Sequence, residues 1–485
     1  MNCFPMRTAY FCLLFLPAVL HSQPEGWDAD QDAMPNDWEL FHQLDANDPK
    51  NAWQDPDKDG VCNLYEYFLG ANPRDPRDPV KLNYDGTTPL AEIIDGTPRR
   101  AVLRLPEGTY PLNYSFQSLD NAPRLLIQGG WNADFTERDY CQYSTVLDGG
   151  RQGAIFNYLV AEGNSTALIL DGLTLTNAGR EAVAYRGYLS KVQLLLAHCS
   201  IRDNRPHRTS ATVRFEDSPG TLISDFILLN TSITDNLGTA LQVVIHGNIT
   251  NVKILHSILA YNDPSENDDP PYQSGHGVKM DSDAPEPVAV QFANSVFWEN
   301  QEADLYVEEE ALGRLQVRSR HNVYGFIQPA GAGDLITHPS DRSSDPGLAP
   351  AANGRYYPAD NSPLRDYGLH LGITEDTEPD AGLLPCPANQ TTTGITALDI
   401  SQSVALWPNP NAGEILRLRF ESAPAEVEQI QVFNSLGRQV ALIRPAADDI
   451  SRGSYQIRVD GWAPGYYRLV FTGANVWGTR GFVRR

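Results

Sequence analysis

Between Leu168 and Asn300 the chain repeats one short phrase five times, and this repeat constrains its fold more than any other feature. Gly172–Asn177 reads GLTLTN, Cys199–Asn204 reads CSIRDN, Thr231–Asn236 reads TSITDN, Ser257–Asn262 reads SILAYN and Ser295–Asn300 reads SVFWEN. Each phrase opens on a small residue and closes on Asn. Just upstream of each lies an apolar run: Leu168–Leu170, Leu194–Leu196, Ile227–Leu229, Ile254–Leu255 and Val290–Phe292. Period-2 alternation makes a strand with one inward face. A phrase too short to bury that face alone buries it by stacking on its own copies, and the intervals between closing Asn residues, from the mid-twenties to the high thirties, are solenoid periods. Asn at one register position then stacks amide on amide. The pattern predicts a parallel β-helix.

These phrases resemble the right-handed parallel β-helix families of bacterial surface proteins and polysaccharide-active enzymes. The resemblance implies an all-β solenoid and leaves the activity open, because this fold carries lyases, hydrolases, adhesins and inert stalks alike. If chemistry sits on the solenoid, the residue before each closing Asn is informative: Thr176, Asp203, Asp235, Tyr261 and Glu299. Stacked coils are about 4.8 Å apart, so Asp203 and Asp235 would lie close to the roughly 5–5.5 Å spacing of a retaining glycosidase pair. Tyr261 would offer a sugar-stacking face beside them, with Arg205, His207 and Arg208 in the following loop. Asp and Asn are equally the ordinary turn residues at a strand end. The longest insertion, Asp263–Asp283, carries His276 and Lys279 and reads either as a binding loop or as a tolerated surface excursion.

With 485 residues, several domains are expected. Met1–Ser22 has the shape of a secretory signal, with Arg7 ahead of the apolar run Thr8–Leu20. That run is too short for a stable membrane span, and the rest of the sequence offers no other. A formal net charge of -24 excludes nucleic acid as a partner and accommodates calcium. Cys62, Cys141, Cys199 and Cys386 fit neither a zinc spacing nor a dense disulfide framework; Cys199 fills the small-residue slot of its phrase and is expected as a buried thiol. A secreted monomer is expected.

Residues 23–79 form an acidic segment with two copies of one loop. Asp55, Asp57, Asp59, Gly60 and Glu66 satisfy D-x-D-x-D-G-x5-E, with Asn63 in the ninth place and the Val61 carbonyl in the seventh. Asp28, Asp30, Asp32, Asn36 and Glu39 repeat the arrangement, with Met34 in the carbonyl position and Ala33 replacing the turn Gly. A hard cation takes six to eight oxygens, and alternate residues of a tight loop converge on it while the closing Glu completes the shell. The loops predict structural calcium, weaker at the first because Ala33 strains its turn. They resemble the calcium repeats of thrombospondin type 3 and dockerin-like segments. Mutual repulsion of the carboxylates suggests a stiff spacer or N-terminal cap.

Residues 80–372 are assigned to the solenoid. Its entry, GGWNADFTERD followed by STVLDGG, resembles the first coils of choice-of-anchor β-helix surface proteins, and Asp345–Gly368 resembles their closing segment. Residues 373–394 read as a linker by composition. Residues 395–485 show short alternating strands with turn signals, a small sandwich. WPNPNAG from Trp407, VFNSLGRQV from Val432, GYYRLVF from Gly465 and the terminal FVRR resemble the type A sorting domain of Bacteroidetes type IX secretion. That resemblance implies the type IX machinery as a partner and a secreted or cell-surface location reached through the periplasm.

Two functions follow. The first is a non-enzymatic β-helix for adhesion or glycan binding, stiffened by calcium; the second is a polysaccharide lyase or glycoside hydrolase using Asp203 and Asp235.

Overall fold

The computed structural model describes residues 28–384 and 398–485 apart from short stretches, the longest being 264–274. The expected signal, most of the 263–283 insertion, His207 and Arg208 lie outside the described residues. The chain divides into two compact units, at Pro385 and Cys386.

The first unit is a parallel β-helix. Among the described residues its strands form sheets of nine, eight and eight strands, here A, B and C, and each coil contributes one strand to each sheet in the order A, B, C. One coil is Lys191–Ala197 in A, Ser200–Arg202 in B and Ala211–Glu216 in C. Within the barrel, side chains stack on their copies in the next coil, as Tyr158, Tyr185 and Phe215 do with ring centroids 5.7 and 6.2 Å apart. Helix α3 (Leu90–Asp95) inserts Leu90 and Ile94 into the same core.

Single residues turn the corners. Between A and B, Gly172, His198, Asn230, His256, Asn294 and His321 all have φ between 45° and 71°. Between B and C the corner falls to Asn177, Asp203, Asp235, Tyr261 and Glu299, at 49° to 59°. Left-handed φ suits Gly, Asn, Asp and His. The residue after each B-to-C corner builds the ladder: Nδ2 of Asn204, Asn236 and Asn262 each donates to the Oδ1 above at 2.8–3.0 Å, and Asn300 closes on Asp304 at 2.8 Å. A second ladder runs through the opening residues, where the amides of Cys199, Thr231, Ser257 and Ser295 donate upward to Thr231, Ser257, Ser295 and Asn322.

The first phrase needs a one-residue correction. Thr174 pairs with Ser200 and Leu175 with Ile201, so Asn177 stands level with Asp203, while Ala178 donates its amide to Asn204 Oδ1. Gly172 is the left-handed corner of that coil rather than its small opening residue, and Thr176 leaves the column of Asp203 and Asp235.

The three outer faces differ. Outward from A, the row Val102, Leu126, Ile169, Leu195 and Ile227 is buried under the acidic segment, whose Met34, Val61, Leu64, Phe68 and Leu69 pack on it. The segment is therefore not an extended spacer. It lies along sheet A because α2 (Asn63–Leu69) and the strands beneath are apolar where they face each other, while α1 (Asn36–Phe41) adds the partly buried Trp38 and leaves Leu40 and Phe41 exposed. Outward from B, Ile258, Ala260, Val296 and Val323 are covered by Leu364, Ala381 and Leu383. Residues 380–384, within the stretch read as linker, are thus part of the first unit. Leu384 N donates to Asn230 Oδ1 at 2.9 Å, and Gly382 N to the Asn294 carbonyl at 2.7 Å. Outward from C, among the described residues, no apolar cluster lies over the face.

The second unit packs a five-stranded sheet and the antiparallel three-stranded sheet of Val404–Trp407, Ile415–Phe420 and Ser454–Arg458 around Leu416, Leu418, Val432, Leu469, Phe471 and Phe482.

Candidate metal centre and solenoid corners

The two acidic loops share one backbone design. In each, the amide at position 6 donates to the first Asp, Ala33 to Asp28 at 3.0 Å and Gly60 to Asp55 at 2.7 Å. The amide at position 7 donates to the fifth-place Asp, Met34 to Asp32 at 2.7 Å and Val61 to Asp59 at 2.8 Å. Ala33 takes φ 83° where Gly60 takes 88°, so it adopts the glycine-like turn at a cost of about 1–2 kcal/mol. Within each triad, Asp28/Asp30/Asp32 and Asp55/Asp57/Asp59, one oxygen from each residue lies within 4.8 Å of the others.

The closing glutamates decide what the loops can hold. Glu66 is fully buried, and among the described residues neither of its carboxylate oxygens has a hydrogen-bond partner. Burial, then Asp57, Asp59 and Asp55, push its carboxyl up to about 9. Asn63 gives its amide to the Asn51 carbonyl at 2.7 Å and leaves Oδ1 without a partner. Leaving a buried acceptor unmade costs about 1–3 kcal/mol, more for a charged group. A divalent cation among these oxygens removes that cost, so the donor set fits a hard cation. Loop one is furnished less generously: Glu39 Oε1 already accepts from Asn51 at 3.0 Å, and Asn36 Oδ1 accepts from Ala29 N at 2.8 Å. Burial pushes Asp32 up to about 8 and Glu39 to about 7.

Two lysines of sheet A tie the loops down. Lys81 pairs with Asp59, and Lys253 meets Asp28 at 2.9 Å and the Gln31 carbonyl at 2.9 Å. They stand at the two ends of the apolar outer row, next to Val102 and Ile227 respectively. Neither lysine carries a motif in the sequence; each looks like a charge at an outward strand position.

Asp203, Asp235 and Tyr261 lie in one column, with the Asp203 amide on the Asp235 carbonyl at 3.2 Å. All three are left-handed corners, and their side chains are engaged. Asp203 is paired with Arg202 at 2.7 Å, Asp235 accepts from the Tyr356 hydroxyl at 3.3 Å, and the Tyr261 ring lies 4.9 Å from that of Tyr356. Burial raises the Asp235 carboxyl above its usual range.

The other corner holds a dyad that sequence reading missed. Asp171, buried, is held ionised by Arg138 at 2.8 Å and His198 Nδ1 at 2.9 Å, and the His198 ring stacks on Tyr140 at 4.7 Å. Arg355 donates to the His198 carbonyl and lies over Tyr140. The group pins the entry loop and the closing segment to the solenoid. Cys199 beside it is a buried free thiol pushed up to about 12 by burial, Cys62 is also free, and Cys141 is disulfide-bonded.

Outward from sheet C, Asn157, Ala184, Arg214, Gln242, Lys279 and Tyr306 stand in one row; Ala184 is buried, and the residues from Arg214 to Tyr306 are polar and partly exposed. Arg214 donates to Gln242 at 3.1 Å and to Glu216 at 2.9 Å, and Lys279 pairs with Glu308 at 2.9 Å while lying 5.1 Å from the centre of the Tyr306 ring.

Residues 405–483 match the secretion system C-terminal sorting domain family. Among solved structures, the crystal structure of pectate lyase Pel9A aligns at 13% identity and a TM-score of 0.32, over 61% of this chain and 90% of that one. No curated protein matches the chain. Among the described residues, no helix is long and apolar enough to cross a membrane. The parallel β-helix thus ends in a type IX sorting domain, and the chain is exported by type IX secretion to the cell surface or the extracellular space.

Proposed function

We propose that the protein is a calcium-stiffened β-helix that binds glycan chains at the cell surface, or after release, without altering them chemically. The observation that carries this reading is the contrast between the outer faces: A and B are covered, while C offers the polar row Arg214, Gln242, Lys279 and Tyr306, one side chain from each of four successive coils. A flat row with a rise of about 4.8 Å per coil matches an extended polymer better than a small molecule. Amide, guanidinium and phenol groups suit sugar hydroxyls and ring faces. The corner carboxylates are spent on Arg202 and Tyr356, which disfavours the hydrolase reading.

Calcium supports the scaffold. The partnerless oxygens of buried Glu66 argue for a cation in the second loop, and Glu39 with its free Oε2 for a weaker one in the first. Bound calcium would neutralise the carboxylates and let α1 and α2 press onto sheet A.

A panel of polysaccharides tests the reading. The full chain should retain one or more of them on an affinity gel, an Arg214→Ala/Lys279→Ala variant should lose that retention, and neither should release reducing ends or unsaturated products. Product formation that disappears in Asp203→Asn/Asp235→Asn would replace the binding reading with the enzyme.

A further inference from the structure

Past Ile227, the outward row of sheet A turns polar: Lys253 is followed by Gln291 and Arg318, while the neighbouring row ends in Leu255, Ala293 and Arg320. Lys253 has a carboxylate from the acidic segment. Arg318 and Arg320, on the last strand, have none among the described residues, and Arg320 donates only to the Ser319 carbonyl at 2.7 Å. In a chain with a net charge of -24, these two arginines leave a local excess of positive charge at this end of sheet A. They line a cavity of ≈ 490 Å³ whose walls also include Trp53, Gln291, His370, the apolar Leu255 and Ala293, and Asp30 and Asp32 of the first acidic loop. That volume falls in the roughly 300–1,000 Å³ range of small-ligand sites.

We infer that this cavity binds the carboxylate of an acidic sugar. Alternate outward positions on one strand put the two guanidinium groups on the same face, a fork for a carboxylate. The Trp53 indole supplies an apolar plane for a sugar ring, and the Gln291 amide reaches hydroxyls as donor and acceptor. The same row holds the precedent: its previous cation, Lys253, is satisfied by a carboxylate of the chain itself, and the ligand carboxylate plays that part for Arg318. Asp30 and Asp32 also line the cavity and repel an anion when ionised, whereas a calcium ion held by them attracts one, so occupancy of the first loop by calcium strengthens ligand binding. This coupling rests on the calcium reading above; the arginine fork does not. The site is separate from the open row of sheet C.

Calorimetry on the full chain tests the assignment with D-glucuronate, D-glucose and triglutamate as probes. In saturating calcium, glucuronate should bind at least about tenfold more tightly than glucose, and Arg318→Gln/Arg320→Gln should lose at least about tenfold. Because both arginines are exposed, the variant should melt at the wild-type temperature and keep its polysaccharide retention through sheet C. Equal affinity of the variant and wild type for glucuronate, or no preference over glucose, would overturn the site. Tighter binding of triglutamate would also overturn it, in favour of an acidic peptide. A calcium titration without sugar separates the two readings: a flat calcium isotherm sinks the metal and the coupling, whereas a flat glucuronate titration on calcium-loaded protein sinks the cavity.

Discussion

Sheets A and C rise from the same coils, yet their outer faces have opposite characters. On A the outward residues from Val102 to Ile227 are apolar and lie beneath the acidic segment; on C the outward row from Arg214 to Tyr306 is polar and partly exposed. A solenoid face left to water must be polar, so an apolar outer row reports a cover, and the cover here carries the two acidic loops. Its attachment is therefore both hydrophobic and electrostatic: an apolar strip with a lysine at each end, each lysine on one loop.

Substitution on the two faces sharpens the contrast most. Leu195→Ala, buried between sheet A and the acidic segment, should cost about 2–5 kcal/mol in urea unfolding. Arg214→Ala at the matching outward position of sheet C should stay within about 0.5 kcal/mol. Similar losses at both would mean that C is covered too. Next in size, Asn236→Ala in the corner ladder should destabilise by about 1–3 kcal/mol, because it leaves the buried backbone amide of Asn204 without its acceptor and removes one of the acceptors of Asn204 Nδ2. An unchanged unfolding midpoint would reduce the ladder to ornament.

Acid should loosen the cover of sheet B before that of sheet A. Burial drops His256 to about 4, and the residue sits beneath the closing segment against Asn294 Nδ2 at 2.8 Å. A histidine whose folded value lies below its unfolded 6.5 takes up its proton more readily when unfolded, so its contribution is present above pH 6.5 and is lost as pH falls towards about 4. His256→Asn should flatten that part of the pH–stability profile; a profile identical to wild type would place the acid sensitivity elsewhere.

Much of this was legible in the sequence, and the exceptions have physical causes. The closing Asn residues of four phrases mark the ladder because an amide both donates and accepts along a stack. The first phrase was misread by one residue because glycine serves equally as a small opener and as a left-handed corner, and Gly172 is the second. The residue before each opener, His198, Asn230, His256 or Asn294, was an available signal, since these types tolerate left-handed φ. The acidic loops were visible residue by residue, but their place on sheet A was not. The available sign was Leu194-Leu195-Leu196, a continuous apolar run where an uncovered strand would alternate. Lys81 and Lys253 stayed invisible because each pairs across a fold-level contact, and the separation of 225 positions from Asp28 to Lys253 offers no local pattern.

The central claim is that calcium in the acidic loops holds the cover on sheet A. Hydrogen–deuterium exchange on the full chain, in millimolar calcium and after chelation, tests it most directly. The account predicts that the amides of Asn63–Leu69 lose protection when calcium is removed, and do so in calcium as well in Glu66→Gln, while the ladder strands Lys191–Ala197 and Ile223–Leu229 stay protected. Equal protection of Asn63–Leu69 with and without calcium would contradict it.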